Sequence, residues 1–543
     1  MGEDSSTASG GGAWPGLRAP HERLGVLYFL TASALLLLAF GIVLIMRWQL
    51  AYPGTAPPGA AWLFDAQHPW MPSGVLQPSF YNQLGAMHGT IMIFLAVVPL
   101  LVGAFGLYLV PGMLGARGLA LPKVAWLSYL LYVLGALVVL ASFFTQDGPA
   151  SSGWTAYPPL SIIEPSGQTY WLFGMACVYG SSLCLAITLI VTIVTARAKD
   201  MPYMRMPFFV WSQLITAALL LLSFPALAAA SALQLSDRLL GSSFFLPSGL
   251  VVSDQPLAVA GGGSALLWQH LFWFLAHPEV YVLLLPALGI VAQVLSTNAR
   301  QPLYGYRACV FATCGMGVLS LFVWAHHMYL TGMAESLNTF FQITTIIISL
   351  PSVVIGGSLV LTLWGGRLKF PPPMLFAVAF LPMFAMGGFT GLPLALAATN
   401  VHLHDSYYVV GHFHYIVAPG TLFAIFAGIY HWYPRVTGRH LNAKLAHAHF
   451  WSSLLFMNAT FFPMLVQGFA GVSRRLYDGG ESYAHAQDVF FLNKAATHSA
   501  IALAVVQLFF VVNFFWSLKR GAPASANPWD ADTREWEGAD DAK

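Results

Sequence analysis

The stretch Val409-Val410-Gly411-His412-Phe413-His414-Tyr415 decides how this chain is read. It lies within a long apolar run, and an apolar run of that length forms a helix in a bilayer. Each helical residue turns the chain about 100°, so positions i and i+2 point roughly 200° apart. His412 and His414 therefore leave opposite sides of one helix. Packing alone gives a buried helix no reason to carry two polar side chains in this way. Two different partners, one on each face, would explain both, and imidazole is a common ligand of transition metals.

The surrounding sequence fixes the solvent. The chain has 543 residues of which only 8% are charged, and its mean hydropathy is +0.68. A soluble protein of this size would aggregate with so little charge. Apolar runs of about 20 residues or more recur along the chain, each long enough to span a bilayer. We count twelve, at 25–47, 84–113, 122–145, 168–195, 205–233, 264–294, 305–330, 338–365, 372–397, 405–432, 447–471 and 494–519. The expected fold is an all-α membrane protein, a twelve-transmembrane-helix bundle.

The charge distribution orients it. Of the 23 Lys and Arg, 18 fall on the side that holds both termini, and the other side keeps Arg47, Arg238, Arg474, Arg475 and Lys494. The positive-inside rule then places both termini in the cytoplasm of a bacterial-type inner membrane. Residues 1–23 read as a polar cytoplasmic tail with no cleavable signal peptide, 24–520 as one membrane domain, and 521–543 as an acidic, disordered tail. The longer loops, 48–83, 145–167, 234–263 and 472–493, all fall outside. Cys177, Cys184, Cys309 and Cys314 lie in spans without metal-ligand spacing and read as buried small residues.

Among 17 histidines, six are informative: His88, His277, His326, His327, His412 and His414. With the orientation above, they converge on the outer half of the membrane, though His277 is deeper by count. A scatter of core histidines has no reason to do this, and polar groups inside a bilayer are costly enough to be functional candidates. In His277-Pro278-Glu279-Val280-Tyr281, His277 and Tyr281 are i and i+4 and share a helix face, while Glu279 points elsewhere. A carboxyl group buried in lipid is neutral unless paired, which suits Glu279 to carrying protons. His326 and His327 are adjacent, so one shared metal would require an irregular turn. Arg474-Arg475, in an outer loop, suits carboxylates or phosphates.

These motifs resemble subunit I of the haem-copper oxidase superfamily, nearest the A-type cytochrome c oxidases. The similarity runs through nearly all twelve expected spans. It is carried by Met87-His88-Gly89-Thr90, Gly153-Trp154-Thr155-Ala156-Tyr157-Pro158-Pro159, Gln269-His270-Leu271-Phe272-Trp273-Phe274, the His277-to-Tyr281 motif, Trp324-Ala325-His326-His327, Leu403-His404-Asp405-Ser406-Tyr407-Tyr408, His412-Phe413-His414-Tyr415 and Arg474-Arg475. The resemblance implies a respiratory terminal oxidase that reduces O2 to water at a haem iron–copper centre. It implies His88 and His414 as ligands of a low-spin haem, His412 as ligand of a high-spin haem iron, and His277, His326 and His327 as ligands of copper. Tyr281, covalently joined to His277, would donate an electron and a proton, and Glu279 would pass protons. His404 and Asp405 would sit at a magnesium site, Arg474 and Arg475 on haem propionates, and Arg47 and Trp154 beside the low-spin haem, compatible with haem A. Electrons would enter through a subunit II, from cytochrome c or quinol, since this chain has no cysteine pair or Cys-x-x-Cys-His site to receive them.

Two departures from the family bear on protons. Gly118 stands where many A-type enzymes have an aspartate, with Leu107 and Ala125 in place of nearby asparagines, and Ile355 stands where a lysine is expected. Ser181 and Ser182 remain on the first path and Ser352 on the second. The expectation is that proton pumping is reduced or absent. The departures also raise an alternative, a nitric oxide reductase-type enzyme of the same superfamily. Tyr281 argues for O2, because NO reduction has no O–O bond to break. A twelve-span secondary transporter would show inverted repeats and interrupted helices. The sequence has no such repeat, and a transporter leaves six histidines unexplained.

Overall fold

The computed structural model describes residues 17, 19–252, 254–257 and 261–537. Most of the expected N-terminal tail, and Asp540 and Asp541 of the C-terminal one, lie outside the described residues. The described chain is a helical bundle, with one two-stranded hairpin, β1 Val251–Val252 and β2 Gln255–Pro256, in a loop between two long helices.

Among the described residues, ten helices are long and apolar enough to cross a membrane. They are α1 Pro20–Ala51, α2 Pro78–Met113, α3 Pro122–Phe144, α4 Gly167–Thr195, α5 Phe208–Leu239, α6 Ala265–Ala299, α8 Glu335–Leu363, α9 Pro372–Ala395, α10 Tyr407–Thr437 and α12 Phe491–Arg520. The other two expected spans are also helices. One is α7, Tyr306–Ser320, with only 15 residues. The other is α11, Ala443–Phe469, which carries His447, His449, Asn458 and Gln467 among its apolar residues.

Local chemistry sets the boundaries. Four helices begin on a proline, Pro20, Pro78, Pro122 and Pro372, where the missing N–H costs nothing. The Ser406 hydroxyl caps α10 by accepting from the Tyr408 N–H at 3.1 Å, and Asn442 caps α11 by accepting from Leu445 at 3.1 Å. α10 is broken at Ala418, just before Pro419. In α2 the segments Ile91–Val97 and Pro99–Gly106 are wound as π-helix.

The most extensive contacts pair α3 with α4, α5 with α6 and α11 with α12. α2 and α6 lie deepest, with buried residues on nearly every face. Two expectations need correction. The span expected over 305–330 stops at Ser320, and the chain then makes a separate 3-10 turn, Trp324–Met328. The C-terminal tail is not disordered over its described residues: Arg534–Trp536 forms a 3-10 turn, with Glu535 and Trp536 buried. Trp529 and Trp536 give this segment the apolar surface that its acidic composition conceals. Of the cysteines only Cys309 is buried; the other three are half-buried, and all four are free thiols.

Candidate metal and haem centre

His277, His326 and His327 form the one potential three-ligand metal cluster found among the described residues, with ligand atoms within 4.8 Å of one another. His277 projects from α6, and the other two come from the 3-10 turn after α7. That turn is the irregularity that the adjacent pair required. His326 Nε2 stands 3.1 Å from His327 Nε2, and His277 Nδ1 stands 3.3 Å from His327 Nε2. The outer nitrogens are taken up elsewhere: His326 Nδ1 meets the Thr345 hydroxyl of α8 at 3.0 Å, and His277 Nε2 meets the Tyr281 hydroxyl at 3.2 Å. These two rings thus turn their remaining nitrogens toward His327. Three imidazole nitrogens about 2 Å from one ion stand about 3.3–3.5 Å apart, so the donor set fits a transition metal. Trp273 supports the cluster, stacked on His327 at 3.7 Å, and its indole N–H donates to the Tyr157 hydroxyl.

The histidines of α10 divide as their spacing requires. His412 turns toward α9, where its Nδ1 donates to the Gly387 carbonyl at 2.9 Å and lies 3.2 Å from the Thr390 hydroxyl. His414 turns toward α11 and stacks on Phe461 at 4.7 Å, while its Nδ1 donates to the Val410 carbonyl at 2.8 Å. On α2, His88 Nδ1 donates to the Ala39 carbonyl of α1 at 3.0 Å. In all three rings the backbone fixes Nδ1 and leaves Nε2 as the ligand atom, the usual way a protein orients a metal-binding imidazole. All three remain half-buried within the bundle, so protein does not pack over every ring face. Gly391 keeps the His412 side open, because a Cβ there would come 2.8 Å from Cε1 of that ring. The donor set therefore fits haem iron. His88 and His414 are close enough to interact electrostatically, as are His326 and His412.

The remaining candidates lie around this core. Glu279 is 1% exposed, neither carboxyl oxygen has a hydrogen-bond partner, and Tyr179 of α4 is its neighbour. Just before the start of α10, Asp405 accepts from Arg474 Nε at 2.6 Å, and its other oxygen lies 3.5 Å from His404 Nε2. Arg475 packs against the loop at Gly153, where a Cβ would sit 3.4 Å from its guanidinium. Trp154 packs edge-on against Phe272 at 5.3 Å and closely against Gly89, beside His88. Arg47 is buried, donates to the Asn493 carbonyl at 3.0 Å and leaves Nε without a partner.

The residues expected on a proton path are less well joined. The Ser181 hydroxyl donates to the Ser128 carbonyl at 2.6 Å, and the Ser128 hydroxyl lies 2.9 Å from that of Tyr28. Ser182 is buried beside them on α4. Ser352 lies apart, half-buried on α8, and Ile355, one turn on, is fully buried. Sequence reasoning gave no role to Trp273, Tyr157, Thr345, Thr390 or Phe461. Only Trp273 and Tyr157 had a signal, because they fall within the resembling motifs.

The family described as cytochrome c and quinol oxidase polypeptide I matches residues 23–516. The chain is 41% identical over 521 residues to the alternative cytochrome c oxidase subunit 1 of Bradyrhizobium diazoefficiens, covering 95% of this chain and 85% of that one. It is 39% identical over 522 residues to cytochrome c oxidase subunit 1 of Synechocystis sp., covering 96% and 87%. It is 37% identical over 502 residues to quinol oxidase subunit 1 of Bacillus subtilis, covering 92% and 72%. Its fold is similar to that of a haem-copper terminal oxidase solved as a dimer, with a TM-score of 0.74 at 20% identity over 93% of this chain and 85% of that one. The chain belongs to the cytochrome c and quinol oxidase polypeptide I family.

Proposed function

We propose that this chain is the catalytic subunit I of a respiratory terminal oxidase, and that His277, His326, His327, Tyr281 and His412 form its oxygen-reducing centre. The observation that carries this reading is the meeting of three imidazoles beside a tyrosine hydroxyl 3.2 Å from one of them. His277, His326 and His327 would hold copper, His412 a high-spin haem iron, and His88 with His414 a low-spin haem, of haem A type. Bound there, the metals supply the electrons that O2 needs, at potentials tuned by their ligands and burial. The protein's own part is to orient and to move protons. Tyr281 stands beside the copper ligands as a hydrogen donor, and Glu279 is a carboxyl placed to pass protons inward from Tyr179 and the Ser181–Ser182 side. Arg474 and Arg475 would face propionates, with Arg47 and Trp154 against the low-spin haem.

α7 with its following turn and α11 would also cross the membrane, giving twelve spans and placing both termini on the cytoplasmic side. His404 and Asp405 would supply two ligands of a magnesium ion, the others coming from water or a partner. The partner is another oxidase subunit, a subunit II that delivers electrons from cytochrome c or quinol. Relatives named as oxidases, together with Tyr281 beside His277, favour O2 over NO as substrate. The deciding experiment is turnover of the purified complex with O2 and with NO, alongside its pyridine haemochrome spectrum. Rapid O2 consumption with two haems per complex is expected. Turnover of NO alone would overturn the reading.

A further inference from the structure

The inner end of the bundle holds a buried polar cluster that the metal centre does not use. After α12 the chain runs back beneath the bundle. Trp529 Nε1 donates to the His431 carbonyl of α10 at 2.7 Å, Arg300 pairs with Asp530 at 2.9 Å, Gln293 Nε2 of α6 donates to the Thr533 hydroxyl at 3.2 Å, and Arg534 pairs with Asp200. These anchors seat Glu535 inside the protein, 3% exposed. It lies over Gly112 of α2, where a Cβ would come 3.3 Å from its own Cβ and 3.5 Å from the Arg435 guanidinium. Arg435 in turn reaches Glu22 Oε1 of α1 at 3.4 Å.

Polar atoms in this cluster are unusually short of partners. Arg435 Nε, Tyr108 OH, Trp536 Nε1 and both ring nitrogens of His431 have no hydrogen bond within the protein, while Trp432 faces the Glu535 carboxyl. Buried polar groups are rarely left unpaired, so this density implies ordered water. Beside the cluster lies a cavity of about 210 Å³, lined in part by His21, Arg117 and Gly118, with room for several waters. His21 borders that cavity and interacts electrostatically with Glu22 and Arg435. On the other side, Trp432 packs on Phe105 and Phe209. One and two turns beyond Phe209 on α5, Gln213 Oε1 and Thr216 Oγ1 are again buried without partners. The line of unpartnered polar groups therefore leads toward the middle of the bundle.

We propose that Glu535, carried in by the C-terminal segment, is the group through which protons enter this subunit from its inner face, loading from the cavity at His21 and Gly118. The proposal rests on the oxidase reading, since a reaction that consumes protons needs an inlet. Gly118 has no side chain to hold a proton, and Ile355 is apolar. Glu22 is engaged with Arg435 and with the Ala19 N–H, which donates to it at 2.9 Å. Burial holds the Glu535 carboxyl above the ordinary carboxylate range, opposed by the Thr533 hydroxyl, Arg435 and Trp432, so it exchanges closer to neutrality than a surface carboxylate. The charged and titratable groups around it are His21 and Glu22 of α1, Tyr108 of α2, His431 and Arg435 of α10, Arg117, Asp200, Arg534 and Glu537. In each cycle the carboxylate takes one proton from cavity water and gives one to water beside Tyr108 and Trp432, with no net change.

The test is O2 consumption of the purified complex across pH, for the wild type, E535Q and E535D. E535Q should lose about tenfold or more in turnover and lose the fall in rate at high pH that deprotonation of the inlet produces, with its haem bands unchanged. E535D keeps a carboxyl and should retain at least about half of the turnover. Wild-type turnover and pH profile in E535Q overturn the proposal, as does a loss in E535D equal to that in E535Q. If E535Q does not retain haem, a chain ended after Asp532 replaces it with the same expected loss. A wild-type complex that holds both haems yet consumes no O2 sinks the oxidase reading instead, so the two failures are separable.

Discussion

The Tyr281 hydroxyl stands 3.2 Å from Nε2 of His277, one helical turn away on the same face of α6. Nδ1 of the same imidazole points at His327, 3.3 Å away. One ring thus joins the metal cluster on one edge to a phenol on the other. A phenol held there can deliver a hydrogen to a molecule bound at the cluster without leaving its place. Y281F should therefore retain metals and haem spectrum and lose turnover by about a hundredfold or more, the scale of a lost proton donor. If the two rings are covalently joined, the wild-type peptide that contains both His277 and Tyr281 should also be two hydrogens lighter than its sequence requires.

Metal content tests the ligand assignments directly. H326A and H327A should each lose copper, while H412A should lose one haem and H88A or H414A the other, read by metal analysis and haemochrome. The supporting hydroxyls have a smaller effect. Thr390 and Thr345 orient ligands without touching a metal, so T390A and T345A should weaken retention by about tenfold while leaving the spectrum in place. Full loss of a haem in T390A would mean that Thr390 does more than orient His412.

Much of this was legible in the sequence because membrane helices announce themselves. An apolar run must form a helix in lipid, and a two-residue spacing on a helix must open to opposite sides, so the separation of His412 from His414 followed from arithmetic. His326 and His327 did not follow, because their convergence depends on a 3-10 turn that no periodicity encodes. The C-terminal segment was misjudged for a related reason. Its acidic residues promised a solvated chain, but Trp529 and Trp536 bury it against α10, a tertiary contact that composition does not register. Thr345, Thr390 and Phe461 support ligands from helices distant in sequence, and without the fold nothing marks them out.

The outer edge of the site makes a prediction about pH. Burial disfavours a charge on Asp405, but Arg474, His404 and Arg475 outweigh it and hold its carboxyl below the ordinary carboxylate range. Burial first, and Arg474 after it, hold His404 below the ordinary histidine range against the pull of Asp405. At neutral pH the pair is a carboxylate beside a neutral imidazole, the state a divalent cation binds. Because folding depresses the Asp405 pKa, its contribution to stability is whole above the ordinary carboxylate value and disappears as pH falls through the depressed one. D405N should melt below the wild type at pH 7, and the gap should close toward acid pH. A gap that stays constant to acid pH would remove Asp405 from this role.

Proton pumping should be reduced or absent in this chain. A Cβ at Gly118 would meet nothing closer than His21 Nδ1 at 3.7 Å, and Ile355 is 0% exposed. Neither position offers a group that can pass a proton. The Glu535 inlet can supply the protons consumed in making water, but it lies at the inner surface and gives no second group to hold a pumped proton. Electrons that reach the centre from one side and protons that reach it from the other would still move charge across the membrane, each worth about 2.3 kcal/mol per 100 mV. In vesicles, O2 consumption should therefore build a membrane potential, read by a voltage-sensitive dye, while the outer medium acidifies little. Ejection approaching one proton per electron would show that a pumping route exists outside Gly118 and Ile355, and the expectation drawn from those two residues would be withdrawn.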